Sequence, residues 1–208
     1  MRSLLLSSLL LILFAGCRPS IYPSLKTDTP SVLKPIFSET KPSYLYKAKI
    51  DILSHYLSGL LFIKPTGVET FRLVFTTELG LTFFDIELAP ASRKVYYCME
   101  KLNKKIVLNT LEKDMRLLLM NDLADKKNEW FTDPPSSDKI VRFRRSGKIF
   151  DYYFKNKEDI IYKIENIAKS KVKISVDVKD YQDGIPYLIN IKHHNFKFNI
   201  ALNYLEKH

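Results

Sequence analysis

The side chains with the most chemical reach in this sequence are four histidines, two cysteines and two close acidic pairs. His193 and His194 are adjacent and precede the last apolar run. Neighbouring residues on a strand point to opposite faces, so the two make poor joint metal ligands and read as a surface pair in a turn. His55 and His208 stand alone. Asp122/Asp125 and Asp180/Asp183 are paired carboxylates, the residue type that glycosidases hold about 5 to 9 Å apart. Both pairs fall in predicted loops, which hold no fixed separation. There is no His-Glu-x-x-His, no Gly-x-Ser-x-Gly and no phosphate-cradling glycine loop, and six glycines leave little room for one. The expectation is a protein that is not an enzyme and uses no metal or cofactor.

The cysteines point elsewhere. Met1-Arg2-Ser3 is a short basic start, Leu4 to Phe14 is apolar apart from Ser7 and Ser8, and Ala15-Gly16-Cys17 follows. A basic start, a short apolar stretch and small residues before a cut site describe an export signal. The stretch is too short to cross a bilayer, which takes about 20 residues. Leu13-Phe14-Ala15-Gly16-Cys17 resembles the bacterial lipobox, whose cysteine is acylated and becomes the first mature residue; Phe14 departs from its usual small aliphatic residue. The expectation is a signal peptide over residues 1–16 and a lipid anchor on Cys17. One acyl chain holds weakly and reversibly, so stable anchoring fits several chains. Arg18 stands where an aspartate would mark inner-membrane retention, which favours the periplasmic face of the outer membrane. Cys98 is then the one remaining thiol, and no intrachain disulfide is available.

The chain has 208 residues and a formal charge of +10, with lysines spread along it. Such a surface attracts anionic partners. For an exported, anchored protein these are lipid headgroups or acidic proteins rather than nucleic acid, and a monomer is expected. Residues 17–43 read as a tether after the anchor: Pro19, Pro23, Pro30, Pro35 and Pro42 alternate with Ser, Thr and Lys. Fully extended, it would reach up to roughly 80 Å at ~3.1 Å per residue. Val32-Leu33 and Ile36-Phe37 are the points where it can pack back on the domain.

The elements that must position any site follow from periodicity. Lys47 to Ile63 holds one or two strands, with Gly59 a soft point, and Lys64-Pro65-Thr66-Gly67 is a turn signal. Phe71, Leu73 and Phe75 share one face, and Leu81 to Leu88 returns, which predicts a hairpin with its loop at Glu78 to Gly80. Cys98 to Leu123 has helical spacing, with Thr110 a possible cap for a second piece. Asp125 to Asp138 reads as a polar loop. Ile140–Arg144, Lys148–Phe154, Ile160–Ile167 and Lys171–Val178 are predicted strands, as is the final alternating run Phe196, Phe198, Ile200, Leu202, Tyr204. Asp183-Gly184 marks a tight connection. Alternation of this kind implies antiparallel sheet with one buried face. The predicted class is α+β: a curved antiparallel sheet forming an incomplete barrel, helices packed on its concave face, in one domain over residues 44–208.

Three stretches, Phe71 to Leu88, Met99 to Leu119 and Ile185 to Tyr204, together resemble the LolA/LolB superfamily of lipoprotein carriers and outer-membrane receptors, nearest the receptor branch. The order of features carries the resemblance, since no single motif in it is diagnostic. It implies a hydrophobic cavity that binds acyl chains, and acceptance of acylated protein cargo from a periplasmic carrier for insertion into the outer membrane. It also implies a protruding membrane-insertion loop, matched here by Leu79 and Gly80. Glu78 departs from that pattern. Two alternatives stand beside it: a module of this fold that binds a lipid or other apolar ligand, and a structural envelope lipoprotein with a filled interior.

Overall fold

The computed structural model describes residues 21–52 and 55–205. Residues 1–16, expected to form a signal peptide, and Cys17 lie outside the described residues. Among the described residues thirteen strands form a single sheet: β1 (Lys26–Thr27), β2 (Tyr44–Ile52), β3 (His55–Gly67), β4 (Thr70–Thr76), β5 (Thr82–Ala89), β6 (Ser92–Cys98), β7 (Asn128–Thr132), β8 (Lys139–Ser146), β9 (Ile149–Lys155), β10 (Ile161–Ala168), β11 (Lys171–Gln182), β12 (Ile185–His193) and β13 (Phe198–Tyr204). One α-helix, α1 (Lys105–Leu119), lies between β6 and β7. The spatial order is β1-β7-β8-β9-β10-β11-β12-β13-β2-β3-β4-β5-β6, and every pairing is antiparallel. β1 and β6 do not meet, so the barrel is incomplete. The predicted α+β class holds, with a single helix among the described residues.

Alternation sets which face is buried. Tyr44, Tyr46, Ala48, Ile50 and Ile52 of β2 are buried, as are Phe71, Leu73 and Phe75 of β4 and Phe198, Ile200 and Leu202 of β13. These positions share one core with Val107, Leu111, Met115 and Leu117 to Leu119 of α1. The helix therefore occupies the concave face. Each fully buried Leu or Met contributes about 2 kcal/mol of apolar burial. Packing, not capping, places the helix: Lys104 forms no side-chain cap and the first turn has no acidic residue. It ends at Met120, left-handed with φ 60°, whose N–H bonds the Arg116 carbonyl.

Several details differ from the sequence reading. α1 is one unbroken helix, and Thr110 caps nothing: its hydroxyl donates to the Ile106 carbonyl one turn back, 2.8 Å away. Cys98 ends strand β6 instead of opening the helix. β3 runs through Pro65 to Gly67, and the turn falls at Val68–Glu69, where Glu69 takes φ 48°. The polar stretch 125–138 contains β7. Gly59 is a close approach of two backbones, because a Cβ there would lie 1.9 Å from the Thr76 carbonyl oxygen.

Residues 21–43 lie along the domain. β1 pairs with β7, Phe37 is fully buried and Ile36 nearly so. Ile21, Tyr22 and Leu25 pack on a second apolar cluster, Ile140, Tyr152, Phe154 and Ile167, on the other side of the sheet from the main core. Lys155, whose side chain is fully buried, clamps the segment. Its Nζ donates to Ser31 Oγ at 3.0 Å, the Val32 carbonyl at 2.6 Å and Asp159 Oδ1 at 2.5 Å.

Candidate ligand-binding clefts beside the helix

α1 fills the concavity, and three clefts border the helix. A cleft of about 320 Å³ lies where α1 faces β8, β9 and β10, one of about 680 Å³ where its N-terminal half faces β11 and the β12–β13 connection, and one of about 340 Å³ at its C-terminal end. Ligand sites of small molecules span about 300–1,000 Å³.

The polar side chains that line the first cleft are engaged with one another. Arg145 bonds Asp122 at 2.5 Å and also Asp151. Asn166 Nδ2 donates to Asp151 at 2.6 Å, and Lys113 Nζ donates to Asn166 Oδ1 at 2.9 Å. Burial lowers the Lys113 pKa, with Asp151 and Asp114 pulling the other way. Both arginines here are matched by carboxylates, Arg145 by Asp122 and Asp151 and Arg116 by Glu112, which leaves them little attraction for an ion from outside.

The second cleft differs. Its walls include Ile106, Ile174 and Phe196, and three lysines, Lys105, Lys113 and Lys173, stand around it. Ile106 is 73% exposed and Phe196 40%, large apolar side chains turned to solvent. Lys105 and Lys173 make no ion pair among the described residues. His193 sits in the wall, with Nε2 2.8 and 2.9 Å from the two carboxylate oxygens of Asp114. Asp114 is fully buried, and burial raises its pKa while the His193 hydrogen bond opposes the rise. The Phe196 and Phe198 rings lie 4.6 and 5.2 Å from the imidazole. The pair pins the middle of α1 to the end of β12.

This corrects the reading of His193 and His194 as a surface pair. The two do face opposite ways: His193 is buried, and His194 meets Ser175 Oγ at 2.9 Å on the outer side. The sequence holds the missed signal. Asp114 lies on the apolar stripe Leu111, Met115, Leu118, and His193 continues the inward series Ile189, Ile191.

The other named residues lie away from the clefts. Leu79 is 92% exposed in the loop between β4 and β5. Gly80 takes φ 86°, a conformation that favours glycine, and its N–H bonds the Thr77 carbonyl at 3.0 Å. Glu78 pairs with Lys47 at 2.8 Å. The acidic pairs do not form a carboxylate site: Asp122 is held by Arg145, while Asp125, Asp180 and Asp183 are exposed. Among the described residues no group of three or more His, Cys, Asp or Glu side chains is placed to hold a metal ion. Burial raises the Cys98 thiol pKa, the opposite of an activated cysteine. No described helix is long and apolar enough to cross a membrane.

No protein-family model matches the chain, and no curated protein is significantly similar to it. Among solved structures it is similar to a putative outer membrane lipoprotein-sorting protein domain from Vibrio parahaemolyticus, at 11% identity and a TM-score of 0.46, over 79% of this chain and 83% of that one. It is also similar to a LolA superfamily protein from Nitrosomonas europaea, at 10% identity and a TM-score of 0.47, over 80% of this chain and 86% of that one. Likenesses at these values do not place the chain in a family.

Proposed function

We propose that the chain is a lipid-binding module of the bacterial envelope that takes an anionic amphiphile in the cleft between α1, β11 and the β12–β13 connection. The observation that carries this is the joining of Ile106, Ile174 and Phe196 with Lys105 and Lys173 at one cleft. Apolar walls suit an acyl chain, each buried CH₂ contributing about 0.8 kcal/mol. The two ammonium groups suit a carboxylate or phosphate head. The export signal and Cys17 support a protein held by lipid at the periplasmic face of the outer membrane. The test is titration of the chain from residue 18 with a fluorescent fatty acid and a fluorescent lysophosphatidylglycerol. Lys105→Glu/Lys173→Glu is expected to weaken both by about tenfold, the loss of roughly 1.4 kcal/mol of charge attraction. Uptake unchanged by that double substitution ends the proposal.

A second reading, hand-over of acylated protein cargo from a carrier to the membrane, has one observation in its favour: Leu79 stands almost fully exposed on its own loop. Native mass spectrometry of the gently purified protein separates the two. Co-purified acylated protein supports hand-over, and free lipid alone supports the binding module.

A further inference from the structure

We infer that the outer face of β8, β9 and β10 is the surface on which the domain rests against an anionic lipid bilayer, a proposal that depends on the lipid anchor at Cys17. The argument begins with where the chain enters the fold. Tyr22 is fixed on that face by a hydrogen bond to Glu165 and by ring contacts with Tyr152 and Phe154, each at 5.5 Å. Only residues 18–20 separate Ile21 from Cys17, so Ile21 lies within at most about 14 Å of the anchored residue. The clamp at Lys155 and the β1–β7 pairing prevent residues 26–32 from paying out as slack. An anchor on such a short lead sets this face toward the bilayer.

The chemistry of the face agrees. Phe131, Phe150 and Tyr162 are half-buried there beside the covered Tyr152 and Phe154. Cations stand over the rings: Arg142 lies 5.1 Å from both Phe131 and Phe150, Arg144 5.5 Å from Phe150, and Lys163 5.0 Å from Phe154. Aromatic rings with basic heads suit the boundary between headgroups and acyl chains. The carboxylates of this face are engaged: Glu129 with Arg142, Glu165 with Lys163 and Tyr22, Asp138 with the Tyr162 hydroxyl, while Asp177 sits opposite Lys163 in register. Arg144, Lys148, Lys169 and Lys171 are exposed in and beside the β8–β9 and β10–β11 turns and make no ion pair among the described residues. Anionic headgroups are the complementary partner.

The test is lysine footprinting of the full chain in vesicles of phosphatidylglycerol and phosphatidylethanolamine, each rate normalised to the urea-unfolded protein. Lys64 on β3 and Lys94 on β6, five or more strands away, are exposed references. Lys148 and Lys171 are expected to acetylate about fivefold slower than the references, because headgroups cover them. Arg144→Glu/Lys169→Glu is expected to abolish that protection while the thermal melt stays unchanged. Equal labelling of all four lysines on an acylated, vesicle-bound chain overturns the resting face and leaves the anchor standing. An N-terminal peptide without acyl mass on Cys17, from protein recovered off the vesicles, overturns the anchor and the resting face with it. Neither result bears on ligand uptake by the cleft, which is measured separately.

Discussion

The inward positions of β2 to β5 and those of β8, β9, β10 and β12 face the same helix with different chemistry. In the first set they are Tyr46, Ala48, Ile50, Leu61, Ile63, Leu73, Phe75, Ile86 and Leu88, all almost wholly buried. In the second, Arg145, Asp151, Asn166 and His193 interrupt the apolar series and connect to Asp122, Lys113 and Asp114. Dry packing gains free energy from area alone. A buried polar network gains little net stability and loses heavily when one member is removed. The first half thus holds the domain together, and the second positions the helix and lines the first two clefts.

Substitutions in each half can break or sharpen that contrast. The largest effect is expected in the dry half. Gly59→Ala drives a Cβ against the Thr76 carbonyl oxygen, and a loss of about 3 kcal/mol or more is expected in urea denaturation. In the wired half, Asp114→Ala leaves His193 buried without its partner, with an expected loss of about 2 kcal/mol. The double change Asp114→Leu/His193→Leu is expected to recover most of that loss, since removing both partners is nearly neutral. Failure of the double to recover stability would show that the pair is not an isolated tie.

The N-terminal segment gives a smaller, pH-dependent effect. Asp28 accepts hydrogen bonds from Thr132 Oγ1 at 2.6 Å and from the Thr29 N–H, and it pairs with Lys139. Together these hold its pKa at about 2, below the ordinary 3.8. A depressed carboxylate pKa contributes stability above the unfolded value and loses it as pH falls through the folded one. Docking of β1 is therefore expected to weaken between pH 3.8 and about 2, read by the Asp28 and Thr132 NMR signals. Asp28→Asn should remove the transition. The smallest effect is expected at Leu79→Glu, which is fully solvated and should change stability by less than about 0.5 kcal/mol.

The legibility of the sequence follows the same division. Where inward residues are all apolar, period-two alternation exposes the strand, as in β4, β11 and β13. The run Leu102, Ile106, Leu111, Met115, Leu118 marks the helix for the same reason, although Ile106 proves exposed. β6 was hidden because Arg93, Lys94, Tyr96 and Tyr97 at the sheet edge carry no alternating pattern. β7 was hidden in a polar stretch whose one well-buried side chain is Trp130. The proline-rich segment looked like free chain because its attachment depends on Lys155, more than a hundred residues away. The clefts were illegible for a related reason. The first two lie where polar or charged residues occupy buried positions, and single-residue chemistry does not say which partner will be across from them.

The strand order has a consequence in time. β2 to β6 and β7 to β13 are two runs in which each strand pairs with its successor in the chain. Such hairpins close over short loops, which are quick to form. The two runs join at one seam, where β13 pairs with β2 in the register Ile200↔Ile50. Closing that seam bridges nearly the whole domain in sequence, a slow event for a growing chain. A chain delivered N-terminus first can form its first meander early. It must then wait with the edge of β2 unpaired until its last strand arrives.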